Sequence, residues 1–179
     1  MESPIALRRL AEDGVPRAVD PLVRVFAQDP FVDWLVRSDS RHDDGMRRFT
    51  TVCLRQLTMP FGAVATARFL WQALRAFGTA NVPSRLSGLD EIERHAPKTP
   101  YYYLFFVGID PARQGMGTGS PMLRHMLDRC DVEKMPAYGE ATRAALVPFY
   151  QGHGYRAREP IAVPHGRPTM LPMWRVPPA

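Results

Sequence analysis

The sequence predicts a domain of the α/β class, and three segments carry that reading. In the first, an apolar run from Tyr101 to Ile109 stops at Asp110-Pro111 and gives way to a glycine-rich turn. After the turn, Met122, Leu123, Met126, Leu127 and Cys130 recur on one face of a helix. In the second, Pro136 to Ala141 is short and bounded by breakers, as a strand would be. Val147 to Tyr155 then reads as a short helix, with Pro148 suited to its first turn and Gly154 to a left-handed cap. In the third, Ile161 to Val163 and Met170 to Val176 read as two strands joined by a turn at Pro164-His165-Gly166.

The turn between the first strand and its helix holds the chemistry. Gly115, Gly117 and Gly119 let the backbone come close to a ligand in front of a helix N-terminus, where the helix dipole favours negative charge. An anion site, for phosphate above all, is one reading; a tight turn and nothing more is the other. A P-loop needs a lysine that this loop lacks, and a dinucleotide fingerprint needs a third glycine at a different spacing. Gln-x-x-Gly-x-Gly does fit, as Gln114, Gly117 and Gly119.

That pattern resembles the pyrophosphate loop of the GNAT superfamily of N-acetyltransferases. The later run Val147-Pro148-Phe149-Tyr150, with Gly154-Tyr155 beyond it, resembles the second half of the same coenzyme site. Together with Asp110-Pro111 and Pro136-Ala137-Tyr138-Gly139-Glu140, these motifs are most similar to the puromycin N-acetyltransferase-like group. The resemblance implies a GNAT-like mixed, mostly antiparallel sheet flanked by helices, as one acyltransferase domain over residues 1–179. It implies acetyl-CoA as co-substrate, held by Val107, Gly108, Ile109, Gln114, Gly115, Met116, Gly117, Thr118, Gly119 and Ser120. Gly108 is the expected bulge that splays this strand from the next, and a backbone N–H near Phe106 or Val107 is the expected partner of the thioester carbonyl.

The remaining elements follow from periodicity and punctuation. Ile5 to Asp13 is read as the first strand and Val15 to Phe26 as the first helix, with Pro21 inside it. Asp43 to Leu57 carries Met46, Phe49, Cys53 and Leu57 on one face. Phe69 to Phe77 is apolar and near helical spacing, and Arg85 to Ala96 repeats Leu86, Leu89 and Ile92. Ala63 to Ala67 is a short strand candidate. Family members usually have a further strand before the middle helices, whereas here the chain passes almost directly into Phe69-Leu70-Trp71, so either Ala63 to Ala67 takes that strand's place or the sheet is one N-terminal strand short.

Composition excludes several classes. The 179 residues carry a formal charge of +5, nearly all of it from arginine, since Lys98 and Lys134 are the only lysines. The arginines are scattered and no aromatic-interleaved RNA motif is present, so the charge reads as a solvated surface that helps a polyanionic cofactor approach, not as a nucleic-acid interface. Cys53 and Cys130 fall on apolar helix faces and read as buried free thiols. There is no zinc spacing, and no apolar stretch reads as a leader or a membrane span. A cytoplasmic protein without metal is expected; a homodimer is a state such domains often adopt.

The resemblance also implies catalytic roles. Tyr150 is the candidate general acid, because a phenol with an ordinary pKa of about 10 stays protonated at neutral pH and can donate to a departing thiolate. Packing alone is its alternative. Glu140 is the candidate base for the amine proton, its alternative being a salt-bridged surface carboxylate; His153 is expected to face solvent. Two departures stand out: Met116 replaces a frequent cation, and Leu146 a frequent Asn. The favoured function is acetyl-CoA-dependent N-acetylation of a small amine, aminoacyl nucleoside or antibiotic-like, by direct attack. The rivals are a degenerate relative that binds CoA or another ligand without turnover, and a repurposed enzyme of specialised metabolism.

Overall fold

A computed structural model describes residues 10–58, 76–78, 82–163 and 168–178. The chain divides into two compact units, Arg8–Gly88 and Leu89–Ala179.

The first unit is helical. Glu12–Gly14 form a 3-10 turn that leads into α1, Val15–Phe26. The expected first strand is therefore corrected at its end: Gly14 N–H closes the turn on Ala11 O at 2.9 Å, while Ile5 to Arg9 lie outside the described residues. α1 buries Val15 and Val19 against Leu54, with Ala18, Leu22 and Val23 packed beside them. α2, Pro30–Leu35, has no counterpart in the sequence reading. Buried Asp29 caps it, accepting from Phe31 N–H at 3.0 Å and Val32 N–H at 3.1 Å, and Pro30 opens its first turn. α3, His42–Val52, widens into a π-helical turn at Cys53–Thr58, so Met46, Phe49 and Cys53 are buried as their spacing predicts. Phe77 is helical and meets Phe49 with ring centroids 6.5 Å apart. Ala63 to Ala67, Phe69 and Trp71, and with them the place of that further strand, lie outside the described residues.

α4, Val82–His95, begins earlier than the predicted Arg85. The second unit is then a five-stranded sheet with α5, Gly119–Val132, and α6, Val147–Gln151. β1 (Tyr102–Tyr103), β2 (Ala137–Ala141), β5 (Thr169–Arg175) and β3 (Arg156–Ala157) lie side by side in that order, and β4 (Ile161–Ala162) also pairs with β5. Among the described residues, only β1 and β2 run parallel, and the pairings with β5 are antiparallel. This is the mixed, mostly antiparallel sheet flanked by helices that the sequence predicts.

Alternation along β2 separates two faces. Ala137 and Ala141, with Met173 of β5, pack under Leu123, Leu127 and Cys130 of α5 and against Tyr155. The small residues on the strand let the larger α5 side chains sit close, and each buried leucine contributes roughly 1.5–3 kcal/mol. Tyr138 and Glu140 point to the opposite face.

One expected strand is much shorter than predicted. Of Tyr101 to Ile109, only Tyr102–Tyr103 form β1, and the last ladder bond is Leu104 N–H to Tyr138 O at 2.7 Å. Residues 105–110 then leave the sheet without regular structure. Apolar character alone continues to Ile109, whereas the last pairing with β2 among the described residues is made by Leu104.

Candidate active site

The loop that follows is built by local hydrogen bonds. Asp110 accepts from Ala112 N–H at 3.0 Å and starts a 3-10 turn, Pro111–Arg113. The Gln114 side-chain amide donates to Ile109 O at 3.1 Å, strapping the end of the turn to its beginning. Gly115 and Gly117 have φ of +76° and +75°, left-handed values that cost other residues about 1 kcal/mol or more. A Cβ built on either would meet nothing within 4 Å, so both face open space. Gly119 differs: its Cβ position lies 3.4 Å from the Phe149 ring and 3.8 Å from Ile109, so this glycine seats the loop against α6.

α5 begins at Gly119. Thr118 makes no side-chain capping bond there, and the first turn holds no acidic residue. The opening N–H groups of an α-helix have no acceptor within the helix, and the dipole is positive at that end. Ser120 and Gly119 therefore stand where an anion is favoured, with Gly115 to Thr118 arching in front. Met116 is 64% exposed at the tip of the arch. Leu146 packs against the core cluster under α5, so an apolar contact takes the place of the polar one expected there. Val107, Gly108 and Ile109 lie half-buried in the segment that has left the sheet.

Glu140 stands on the sheet face opposite α5. Tyr103 Oη donates to its Oε2 at 2.7 Å. Burial holds the Glu140 carboxyl above the ordinary carboxylate range, partly offset by hydroxyl dipoles from Tyr103 and Tyr138. Tyr103 is 47% exposed, and desolvation first and the Glu140 carboxylate second raise its pKa well above normal. Tyr101, Tyr103, Tyr138 and Trp174 surround the carboxylate's neighbourhood with mutual ring contacts, and Arg158 covers Trp174 at 5.1 Å. Tyr138 lies close enough to Glu140 that its hydroxyl favours the carboxylate, while desolvation first and the Glu140 charge second raise the Tyr138 pKa.

Tyr150 lies elsewhere. It packs on the α5 side, against the cluster of Leu123, Leu127 and Met173, with ring centroids 5.4 Å from Phe149 and 5.6 Å from Tyr155. Glu140 and Tyr150 thus belong to opposite faces of the sheet. His153 turns back instead of facing solvent: Nδ1 is 2.8 Å from Phe149 O and the ring packs on Phe149 at 4.8 Å. The sequence reading did not single out Tyr101, Tyr103 and Tyr138. Their i, i+2 alternation within two short strands was the signal that could have placed Tyr101 with Tyr103, and Tyr138 with Glu140.

No protein-family model matches this sequence. Among solved structures, the chain is similar to a Corynebacterium glutamicum protein described as histone acetyltransferase HPA2 and related acetyltransferase. The two are 22% identical, with a TM-score of 0.70, covering 95% of this chain and 94% of that one. It is also similar to a Rhodopseudomonas palustris protein described as a GCN5-related N-acetyltransferase, at 14% identity and a TM-score of 0.52, over 98% of each chain. The fold is therefore the one seen in GNAT-family acetyltransferases. Among the described residues, no helix is long and apolar enough to cross a membrane.

Proposed function

We propose that this chain transfers an acetyl group from acetyl-CoA to the amine of a small molecule by direct attack. The observation that carries the reading is the succession after Leu104: a backbone that leaves its partner strand, then left-handed Gly115 and Gly117, then an uncapped helix start. Those parts suit a coenzyme that has amides to hydrogen-bond an irregular backbone segment and a diphosphate to sit on backbone N–H groups. CoA supplies the activated thioester; the chain's residues bind, orient and move protons.

In this reading, residues 105–109 align the pantetheine arm and the arch Gln114 to Ser120 holds the diphosphate. Glu140 takes the proton from the amine as nitrogen bonds to the acetyl carbon; burial makes it a stronger base than an ordinary carboxylate. Because Glu140 and Tyr150 lie on opposite sheet faces, one thioester meets both only in the gap that opens after Leu104, and there Tyr150 donates its hydroxyl proton to the sulfur as the carbon–sulfur bond breaks. The similarity of the motifs to the puromycin N-acetyltransferase-like group supports an acceptor of the aminoacyl-nucleoside or antibiotic kind, and a cytoplasmic setting.

The second reading, binding without turnover, is favoured by two positions: Met116 stands exposed where a cation is frequent, and Leu146 is drawn into the core. Thermal shift and thiol release separate the two. Acetyl-CoA is expected to raise the melting temperature, and a panel of primary amines to release free thiol. A shift with no thiol release across the panel would favour the second reading; no shift would remove both.

A further inference from the structure

We infer that Tyr103 is the positioning residue of the base: its hydroxyl holds the Glu140 carboxylate ionised and oriented for the acceptor amine. The inference rests on the acetyl-transfer reading above. In the parallel register Tyr103 stands beside Tyr138, and Glu140 follows two residues later on the same sheet face. The phenol crosses that diagonal, and its Oη donates to Glu140 Oε2 at 2.7 Å. Its ring is held where this bond needs it: Tyr138 stacks on it at 6.1 Å, Phe105 lies at 5.7 Å and Tyr101 meets it edge-on at 6.4 Å. Tyr103 is also the last residue of β1, so it is anchored in the sheet directly before the backbone makes its last pairing at Leu104 and leaves.

The proposed chemistry needs such a hold. A desolvated carboxyl group tends to stay protonated, and a protonated Glu140 takes no proton from an amine. Burial is the largest influence on Glu140 and raises its pKa; the Tyr103 hydroxyl comes next and acts against it. Among the described residues, the titratable groups that face Glu140 are Tyr103 from β1 and Tyr138 on its own strand. Tyr101, which also lies under the charge of Glu93, feels the Glu140 charge as well, and Arg158 acts on Tyr138 from beside Trp174. β5 sets Pro172 opposite Glu140 and Trp174 opposite Tyr138, and neither carries a charge. Tyr103 itself stays protonated, because desolvation and the carboxylate raise its own pKa, so it remains a donor while Glu140 takes up and releases a proton.

The test is the pH dependence of kcat/KM for thiol release from acetyl-CoA, with puromycin and with glycinamide as acceptors, in wild type, Tyr103→Phe and Tyr101→Phe. A fourth form carries 3-fluorotyrosine at position 103, which keeps the ring and makes its hydroxyl a stronger donor. Each acceptor's own titration is common to all four forms and cancels between them. Tyr103→Phe is expected to move the acid limb up by about one pH unit or more, the scale of one hydrogen bond to an ionised group. Its kcat at neutral pH is expected to fall about tenfold, with KM for acetyl-CoA within about twofold of wild type. The fluorinated form is expected to move the limb down. Tyr101→Phe is expected to leave the limb in place: its ring touches Tyr103 and Tyr138, but among the described residues its hydroxyl makes no bond to Glu140. A limb unmoved in Tyr103→Phe, moved equally in Tyr101→Phe, or unmoved by the fluorinated ring overturns the inference and leaves acetyl transfer standing. If Tyr103→Phe does not fold, the fluorinated form decides alone. No thiol release from wild type with either acceptor or across the amine panel removes the acetyl-transfer reading and this inference together.

Discussion

A Cβ placed on Gly139 would stand 2.9 Å from the carbonyl oxygen of Leu104 and 3.1 Å from its Cβ. The two residues meet where β1 stops pairing with β2, and the closeness of their backbones is what the missing side chain permits. The glycine that this crossing requires is thus on the partner strand, at Gly139. Gly139→Ala must push the Leu104 backbone away. It is expected to cost about 1–3 kcal/mol in urea unfolding and to weaken acetyl-CoA binding. An unchanged unfolding midpoint would show that the crossing has room to spare.

Arg175 joins three elements. It forks onto Asp131 of α5, with Nη1 2.6 Å from Oδ1 and Nη2 2.8 Å from Oδ2, and its Nε donates to His153 O at 3.1 Å. The arginine side chain is 11% exposed and the aspartate 29%. Arg175→Met would leave Asp131 without that partner, and a loss of about 2–4 kcal/mol at neutral pH is expected. Hydrogen bonding to Arg175 lowers the Asp131 pKa in the folded state. That stabilisation is complete above the ordinary Asp value of about 3.9 and fades as pH falls through the depressed folded value. The gap between wild type and variant in thermal melts should narrow only in that acidic window; a gap independent of pH would assign Arg175 a packing role.

Long-period features were legible in the sequence. Val15–Phe26 and the buried face of α5 were both read from apolar spacing, because a helix organises its own hydrogen bonds and shows its buried side locally. Strand extent was not legible. Whether Phe105 to Ile109 pair depends on a neighbour thirty residues away, and the alternation of aromatic and aliphatic residues carries no record of it. Asp29-Pro30 was a readable helix start that went unused, since six residues are too few to show a periodic stripe. The glycine arch was legible as a turn, but only the structure separates Gly115 and Gly117, which need left-handed φ, from Gly119, whose Cβ position lies in ordinary contact with Phe149.

Glu140 should reveal its burial through pH. Its folded-state pKa is raised, so its contribution to stability is fully present below the unfolded value of about 4.3 and is lost as pH rises through the folded value. Glu140→Gln keeps an acceptor for Tyr103 and removes the charge. The variant is expected to melt above wild type at neutral pH, with the gain vanishing in acid, while acetyl transfer falls at least a hundredfold. A variant that melts below wild type at neutral pH would mean that the carboxylate is stabilised where it sits.

Tyr150→Phe should leave the fold intact, since the ring makes the contacts to Phe149 and Tyr155. Turnover is expected to drop about 10²-fold with acetyl-CoA affinity within twofold of wild type. An unaffected rate would take Tyr150 out of its acid role.

The central claim is that backbone amides of the arch hold a diphosphate. Titrating ¹⁵N-labelled protein with CoA, and separately with pantetheine, tests it residue by residue. With CoA, the amides of Gly115, Gly117, Gly119 and Ser120 are expected to show the largest shifts, and pantetheine, which lacks the diphosphate, should leave them in place. If CoA binds while those four amides stay unmoved, the arch is only a turn and the coenzyme site lies elsewhere.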